Sequence, residues 1–320
     1  EKSVVDSAIP YLKGVLEPYF NVKYMKGSDI SPEDVADAAA IVVRTRTRCG
    51  QDLLSGSTVR LVATATIGTD HIDEKWCAAN GIKVASAPGC NSGGVCQYVF
   101  AALSALGLTA FDEKGHRRTL GVVGVGHVGS KVAAEGRRRG YVVLENDPPR
   151  GLPLALDELL ERSDIVTLHI PLEGNRDFAD WKFFSQMKKG ASFLNASRGE
   201  VVVDEDLLKS RTNLDKVVLD VWRNEPEIDR RMLAAADIAT PHIAGYSIQG
   251  KANGTAAVVR SVGDFFGIRQ LEDFSVSLPP AEPAAYDIMK DDRALRSSPE
   301  SFEQLRNNYS YRDESIIYLQ

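Results

Sequence analysis

Short apolar runs of β character recur along this chain, separated by stretches in which apolar residues return every three or four positions. In the first third the runs are Ile41-Val42-Val43, Arg60-Leu61-Val62-Ala63 and Gly81-Ile82-Lys83-Val84-Ala85. Helix-like spacing fills the intervals, and this alternation predicts a parallel sheet covered on both faces. Gly93 to Leu108 reads as a mostly apolar helix, with Gly93, Gly94, Ala101 and Ala102 small enough for close packing. A second series then runs through Gly121-Val122-Val123, Tyr141-Val142-Val143-Leu144, Asp164-Ile165-Val166-Thr167-Leu168, Ser192-Phe193-Leu194, Lys216-Val217-Val218-Leu219 and Asp237-Ile238-Ala239. That is roughly the strand count of a complete doubly wound unit. Ser247 to Ile268 is helical in pattern and is expected to return to the first domain, which would make that domain discontinuous. From about residue 275 the pattern changes. Pro279-Pro280 and Pro283 punctuate a linker, and the tail that follows is charged and aromatic. It is too short for a comfortable core of its own and is expected to pack on the body or on another subunit.

Composition narrows the class. The chain has 320 residues, 43% hydrophobic and 26% charged, with a formal net charge of −6. That balance gives no reason to expect nucleic acid or an anionic membrane surface as a partner. No apolar run approaches the ~18 residues that span a bilayer, and no signal-peptide core opens the chain, so a cytoplasmic location is the expectation. Cys49, Cys77, Cys90 and Cys96 show no paired spacing. They read as reduced thiols, and no metal site is expected.

The first chemical signal is Gly124-Val125-Gly126-His127-Val128-Gly129, set between an apolar β-like run and a helix-like stretch. In a dinucleotide loop the first glycine permits the tight turn, the second the approach of a pyrophosphate and the third close helix packing. His127 and Val128 would contribute backbone. The next strand ends at Glu145-Asn146-Asp147. An acid there can accept hydrogen bonds from the adenosine ribose hydroxyls and repel a 2′-phosphate, which favours NAD over NADP. Asp147 is the first choice, with Glu145 the alternative; Arg150 nearby weakens the exclusion of NADP.

Three further polar residues follow apolar runs and are expected on loops at strand ends. They are Arg198 in Asn195-Ala196-Ser197-Arg198-Gly199, Glu225 in Asp220-Val221-Trp222-Arg223-Asn224-Glu225-Pro226, and His242 in Thr240-Pro241-His242-Ile243-Ala244-Gly245. A guanidinium, a carboxylate and an imidazole so presented suit anchoring a substrate carboxylate, tuning a base and moving a proton. Behind a dinucleotide loop, that combination suggests a dehydrogenase. Ala196, Ser197, Arg198 and Asp220 fall where later strand ends would approach the nicotinamide half, although Asp220 also suits a helix or turn cap. Each polar residue, taken singly, has an ordinary reading as a surface ion pair or a hydrogen-bonded structural group.

These elements resemble the D-2-hydroxyacid dehydrogenase family over nearly the whole chain. Gly68-Thr69-Asp70-His71-Ile72-Asp73, Ala87-Pro88-Gly89-Cys90-Asn91, Asp147-Pro148-Pro149-Arg150 and His242-Ile243-Ala244-Gly245-Tyr246 look most like the branch of that family acting on 4-phospho-D-erythronate. The tail adds Tyr286-Asp287-Ile288, Asp291-Asp292, Leu295-Arg296 and Phe302-Glu303-Gln304-Leu305-Arg306. The resemblance implies two doubly wound parallel-sheet α/β domains and a small C-terminal dimerisation segment. A flavodoxin-like substrate-binding domain would comprise 1–92 and 246–274, a Rossmann NAD-binding domain 93–245, and the dimerisation segment 275–320.

It also implies roles. Arg198 would hold the substrate carboxylate and polarise the C2 oxygen, His242 would be the acid/base, and Glu225 would orient the imidazole. Gly245 would join the cofactor contacts, and so would Ile170, through its backbone, because relatives usually place a threonine there. Thr45, Thr66 and Tyr246 would meet the substrate, with Arg44 and Arg46 as phosphate partners. For Thr45 and Thr66, strand propensity is an equal explanation. The implied reaction is NAD-dependent oxidation of 4-phospho-D-erythronate to 2-oxo-3-hydroxy-4-phosphobutanoate on the way to pyridoxal phosphate, by a homodimer. The alternatives are another 2-hydroxy acid, such as 3-phosphoglycerate or hydroxypyruvate, and a non-catalytic NAD(H)-sensing protein. The joins Arg150-Gly151 and Ala285-Tyr286 look abrupt against the family pattern.

Overall fold

The computed structural model describes residues 1–280 and 286–315. Pro283 and Ala285, the linker proline and one side of an abrupt join, lie outside the described residues. The chain divides into two compact units, Glu1–Asn91 with Ser247–Ala281, and Ser92–Tyr246 with Glu282–Gln320.

The first unit is built on five strands, β1 (Lys2–Asp6), β2 (Asn21–Met25), β3 (Ala38–Val43), β4 (Leu61–Thr64) and β5 (Lys83–Ala85). All pair in parallel in the order β2-β1-β3-β4-β5. This is the flavodoxin-like order. Side chains alternate between two cores as a pleated strand requires. Val4, Ile41, Val43 and Val62 face one core, while Val5, Ala40, Val42 and Leu61 face the other, where Val258, Val259 and Val262 of the helix Ile248–Phe266 complete the packing. Ser247 starts that helix by accepting from the Gly250 amide at 2.9 Å. β1 and β2 escape the reading of apolar runs for a physical reason. β1 is an inner strand buried from Ser3 to Asp6, but its polar ends leave only Val4-Val5 apolar; β2 is an edge strand with no buried residue and needs no apolar run.

The second unit carries β6 (Thr119–Val123), β7 (Val142–Asn146), β8 (Ile165–Leu168), β9 (Ser192–Asn195), β10 (Val217–Leu219) and β11 (Ile238–Ala239). They too are parallel, in the order β11-β10-β9-β8-β6-β7. Six strands are present as the pattern predicts, but only β7 lies on the far side of β6. The connection from β7 to β8 holds a 3-10 turn at Pro148–Arg150, closed by Gly151, and the helix Leu156–Arg162, with no further strand. The chain therefore crosses back past β6 early and places the topological switch point between the carboxyl ends of β6 and β8. Ligands of open α/β sheets bind at such a crevice.

Among the described residues, the tail has no separate core. Ile288, Leu295 and Phe302 are at most 2% exposed within the two cores of the second unit. Asp292 accepts from the Ala239 amide of β11 at 2.8 Å, and Arg296 binds Asp292 together with the Leu233 and Ala236 carbonyls. The tail thus covers what would otherwise be an open sheet edge. Among the described residues no helix is long and apolar enough to cross a membrane.

Candidate active site

The loop after β6 has the geometry of a phosphate cradle. A Cβ on Gly129 would lie 1.9 Å from the Gly124 carbonyl oxygen, and one on Gly124 would lie 2.6 Å from the His169 carbonyl and 2.7 Å from Ile170 Cγ2. Only glycines permit this approach of loop, helix and β8 end. Gly126 is the N-cap of the helix His127–Arg138 and brings no side-chain cap. The amides and positive dipole end of that helix suit a pyrophosphate. Of the two acids after β7, Glu145 is engaged by Arg137 of the same helix. Asp147 stands beside the loop, accepting from the Val125 amide at 2.7 Å through Oδ2, with Arg150 Nε at 3.6 Å. The cradle, helix end and acid fit NAD, and they fit it with Asp147 rather than Glu145 at the loop.

Arg198 follows β9, on a loop organised by Asn195. The Asn195 side chain accepts from the amide and hydroxyl of Ser197 at 3.0 and 2.7 Å and donates to the Arg198 carbonyl at 2.8 Å. Ala196, Ser197 and Arg198 are half-buried, and one guanidinium nitrogen donates back to the Ser197 carbonyl at 2.8 Å. The planar guanidinium is thus steadied at the strand end.

Glu225 and His242 come from the loops after β10 and β11. His242 Nδ1 lies 2.8 Å from Glu225 Oε2, and the other carboxylate oxygen accepts from the Trp222 amide at 2.9 Å. Burial works to raise the Glu225 carboxyl, but the imidazole's charge and hydrogen bond, with the Trp222 amide, outweigh it and hold the group below its ordinary value. An ionised Glu225 accepts only, so Nδ1 carries the proton and Nε2 holds the neutral ring's lone pair. The imidazole retains 29% exposure, and the arrangement is that of a proton acceptor with an orienting carboxylate.

Asp220, for which cofactor contact and a turn cap were both open, is 1% exposed. Its carboxylate accepts from Thr240 Oγ1 at 2.7 Å, the Ile243 amide at 2.8 Å and the Ala244 amide at 2.9 Å. Both oxygens are therefore committed to the His242 loop. Burial raises its pKa, with His242 and these three donors opposing. Gly245 and Tyr246 end the same loop, and the Tyr246 ring meets Tyr309 and Tyr311 of the tail at 5.9 and 6.0 Å between centroids.

In the first unit, Arg44, Thr45 and Arg46 follow β3. Thr45 and Arg46 are exposed, whereas Arg44 is half-buried and donates to the Ala8 carbonyl at 3.1 Å. Thr66 follows β4, donates to the Gly68 carbonyl at 3.0 Å and lies 2.7 Å from the hydroxyl of Thr64, which also meets His71 Nε2 at 3.1 Å. His71 is thus a hydrogen-bonded structural group whose burial lowers its pKa. His169 is held 3.0 Å from Thr167 Oγ1, and burial pushes its pKa down to about 3, so it stays neutral. His116 and His127 are exposed.

Four contributors were not singled out from the sequence. Asn195 and Thr240 orient the two loops, Tyr98 holds Thr240 through a 2.7 Å hydroxyl contact, and Arg312 reaches the His242 loop from the tail. Asn195 and Thr240 did leave a signal, a polar residue closing an apolar strand. Among the described residues no group of His, Cys, Asp and Glu is arranged to hold a metal.

The family model for the D-isomer specific 2-hydroxyacid dehydrogenase, NAD binding domain, matches residues 109–244. The chain is 43% identical to the erythronate-4-phosphate dehydrogenase of Bacteroides fragilis, over 99% of this chain and 98% of the relative. It is 38% identical to the protein of that name from Escherichia coli O157:H7, over 99% of this chain and 93% of the relative. Among solved structures, the D-lactate dehydrogenase of Aquifex aeolicus, complexed with NAD and lactic acid, is 24% identical with a TM-score of 0.68, covering 88% of this chain and 100% of that one. The NAD+-bound 3-phosphoglycerate dehydrogenase of Entamoeba histolytica is 23% identical with a TM-score of 0.68, covering 87% and 98%. At that identity the structural likeness is one of fold. The sequence matches carry the assignment further: this chain belongs to the D-isomer specific 2-hydroxyacid dehydrogenase family.

Proposed function

We propose that the protein oxidises 4-phospho-D-erythronate to 2-oxo-3-hydroxy-4-phosphobutanoate with NAD, in the formation of pyridoxal phosphate. The chemistry rests on one observation above the others, the 2.8 Å contact between His242 and Glu225 in the unit that carries the glycine loop. The substrate rests on relatives named erythronate-4-phosphate dehydrogenase that match 99% of the chain.

When bound in the Gly124–Gly129 loop, NAD supplies the acceptor for the hydride that leaves C2. The residues of the chain do the rest. Arg198 pairs with the substrate carboxylate and polarises the C2 oxygen, a task for a planar, permanently charged fork. His242 Nε2 takes the C2 hydroxyl proton as the carbonyl forms, so that proton and hydride leave together and the carbon is oxidised by two electrons. Glu225 keeps the ring in the tautomer that can accept and stabilises the imidazolium that results. Ile170, Ala196, Ser197, Asp147 and Gly245 line the cofactor side. Thr45, Thr66 and Tyr246 contact substrate, and Arg44 and Arg46 meet its phosphate.

The same reading makes the protein a cytoplasmic homodimer paired through its tail, in keeping with four free cysteines, three of them buried. Sedimentation of the full chain checks the dimer. The substrate is tested by comparing kcat/KM for NAD-dependent oxidation of 4-phospho-D-erythronate, 3-phospho-D-glycerate and D-glycerate, the acid whose oxidation gives hydroxypyruvate. The first should be preferred by at least ~100-fold, since a site built for a charged or hydroxyl group rejects analogues lacking it. A preference for 3-phosphoglycerate would overturn the assignment.

A further inference from the structure

His242 sits in the left-handed region, at φ 56°. A non-glycine residue stays there only when its surroundings determine it. The surroundings that do so lie on both sides of the two residues that follow. On one side, Asp220 accepts from the Ile243 and Ala244 amides. On the other, Arg312 of the tail donates to the carbonyls of the same two residues, Nη1 to Ile243 at 3.0 Å and Nη2 to Ala244 at 2.5 Å. Its own amide donates to the Tyr246 carbonyl at 3.3 Å. The backbone of the two residues after His242 is therefore gripped by a carboxylate at its amides and a guanidinium at its carbonyls.

Arg312 is itself fixed. It is 7% exposed, donates to Gln97 Oε1 at 3.2 Å and to the Tyr309 hydroxyl at 2.9 Å, and stands 4.4 Å from the centroid of the Tyr286 ring. The hydroxyls of Tyr286 and Tyr309 both donate to Asp291 Oδ2, at 3.0 and 2.9 Å. A buried guanidinium cannot discharge by losing its proton, so its position is set by carbonyls, aromatic faces and this carboxylate.

We propose that Arg312 is a positioning residue for the oxidation: clamping Ile243 and Ala244 against Asp220, it holds His242 in its left-handed conformation at Glu225. The inference rests on the reading of His242 as the acid/base and adds a role for the C-terminal segment. The tail is then part of the catalytic apparatus of its own chain, whatever else it does. A lysine at this position keeps the charge and most of the stem, but its compact ammonium lacks the planar fork that grips two carbonyls at once.

The test is a double-mutant cycle on kcat between Arg312→Lys and His242→Ala. Arg312→Lys should lower kcat about 10-fold in the native background, with the KM for substrate and the Kd for NAD within about twofold, because a small misplacement of a reacting group is felt in the chemical step. In the His242→Ala background it should change kcat less than about twofold, since residues acting as a unit are not additive. An equal loss in both backgrounds, or native kcat in Arg312→Lys, would overturn the proposal. Should Arg312→Lys fail to fold, Tyr309→Phe removes only the hydroxyl between Arg312 and Asp291 and should lower kcat about threefold under the same cycle. Native turnover in His242→Ala alone would instead strike at the reading of His242.

Discussion

The two parallel sheets end differently. In the second unit β9 closes on Asn195, and β10 and β11 are followed at once by Asp220 and Thr240, polar residues none of which is more than 1% exposed. Each spends its side chain on the strand-end loops around it, and those loops carry Arg198, Glu225 and His242. In the first unit, the end of β3 carries exposed Thr45 and Arg46 and a half-buried Arg44. The ends of β1 and β4 are built comparably, β1 closing on Asp6, which is 2% exposed and accepts from the Ala8 amide at 2.9 Å, and β4 through Thr64, Thr66 and His71. The difference separates two demands. Moving a proton requires groups held to fractions of an ångström, whereas recognising a phosphate or hydroxyl tolerates side chains that order as the ligand arrives, at an entropic cost in affinity. On this view, variants of the second unit should fall on kcat and variants of the first on KM.

The larger effect should come from Glu225→Gln. The amide no longer compels Nδ1 to carry the proton, so kcat should fall on the order of 30-fold while NAD binding persists. Steady-state kinetics with a cofactor titration checks both. The same substitution has a signature in acid. The native Glu225 carboxyl is held below its ordinary value, so its contribution to stability is fully present above the ordinary glutamate value of about 4.3 and is lost as pH falls through the lowered one. The glutamine variant has no such term, and its unfolding free energy should fall less steeply below about pH 4. Equal acid slopes would remove Glu225 from the account of stability.

A smaller effect is expected from Thr66→Val in the first unit. The change keeps shape and β propensity but removes the hydroxyl, and should raise KM for substrate about three- to tenfold with kcat changed less than about twofold. A loss confined to kcat would erase the distinction between the two strand-end sets.

The fold was legible where burial imposes pattern. Strands inside a parallel sheet tend to carry near-continuous apolar runs, so β3, β6, β8 and β10 stand out in the sequence, while the edge strand β2 and the inner but polar-ended β1 do not. The strand order of the second unit was not legible, because nothing in the apolar runs says that β8 returns beside β6. For the site, the glycine loop and the three strand-end contexts singled out Arg198, Glu225 and His242. Their supports were hidden for different reasons. Asn195 and Thr240 look like ordinary strand ends, and Arg312 acts from a segment distant in sequence, through backbone carbonyls that any residue possesses.

The most direct test of the central claim is His242→Ala, assayed for turnover of 4-phospho-D-erythronate and, on the same preparation, for NAD affinity. Turnover should fall by at least ~100-fold, with the NAD dissociation constant unchanged within about twofold, because the substitution removes the proton acceptor and leaves the glycine loop intact. Turnover at the native rate would contradict the proton-transfer role on which the whole assignment of these strand ends rests.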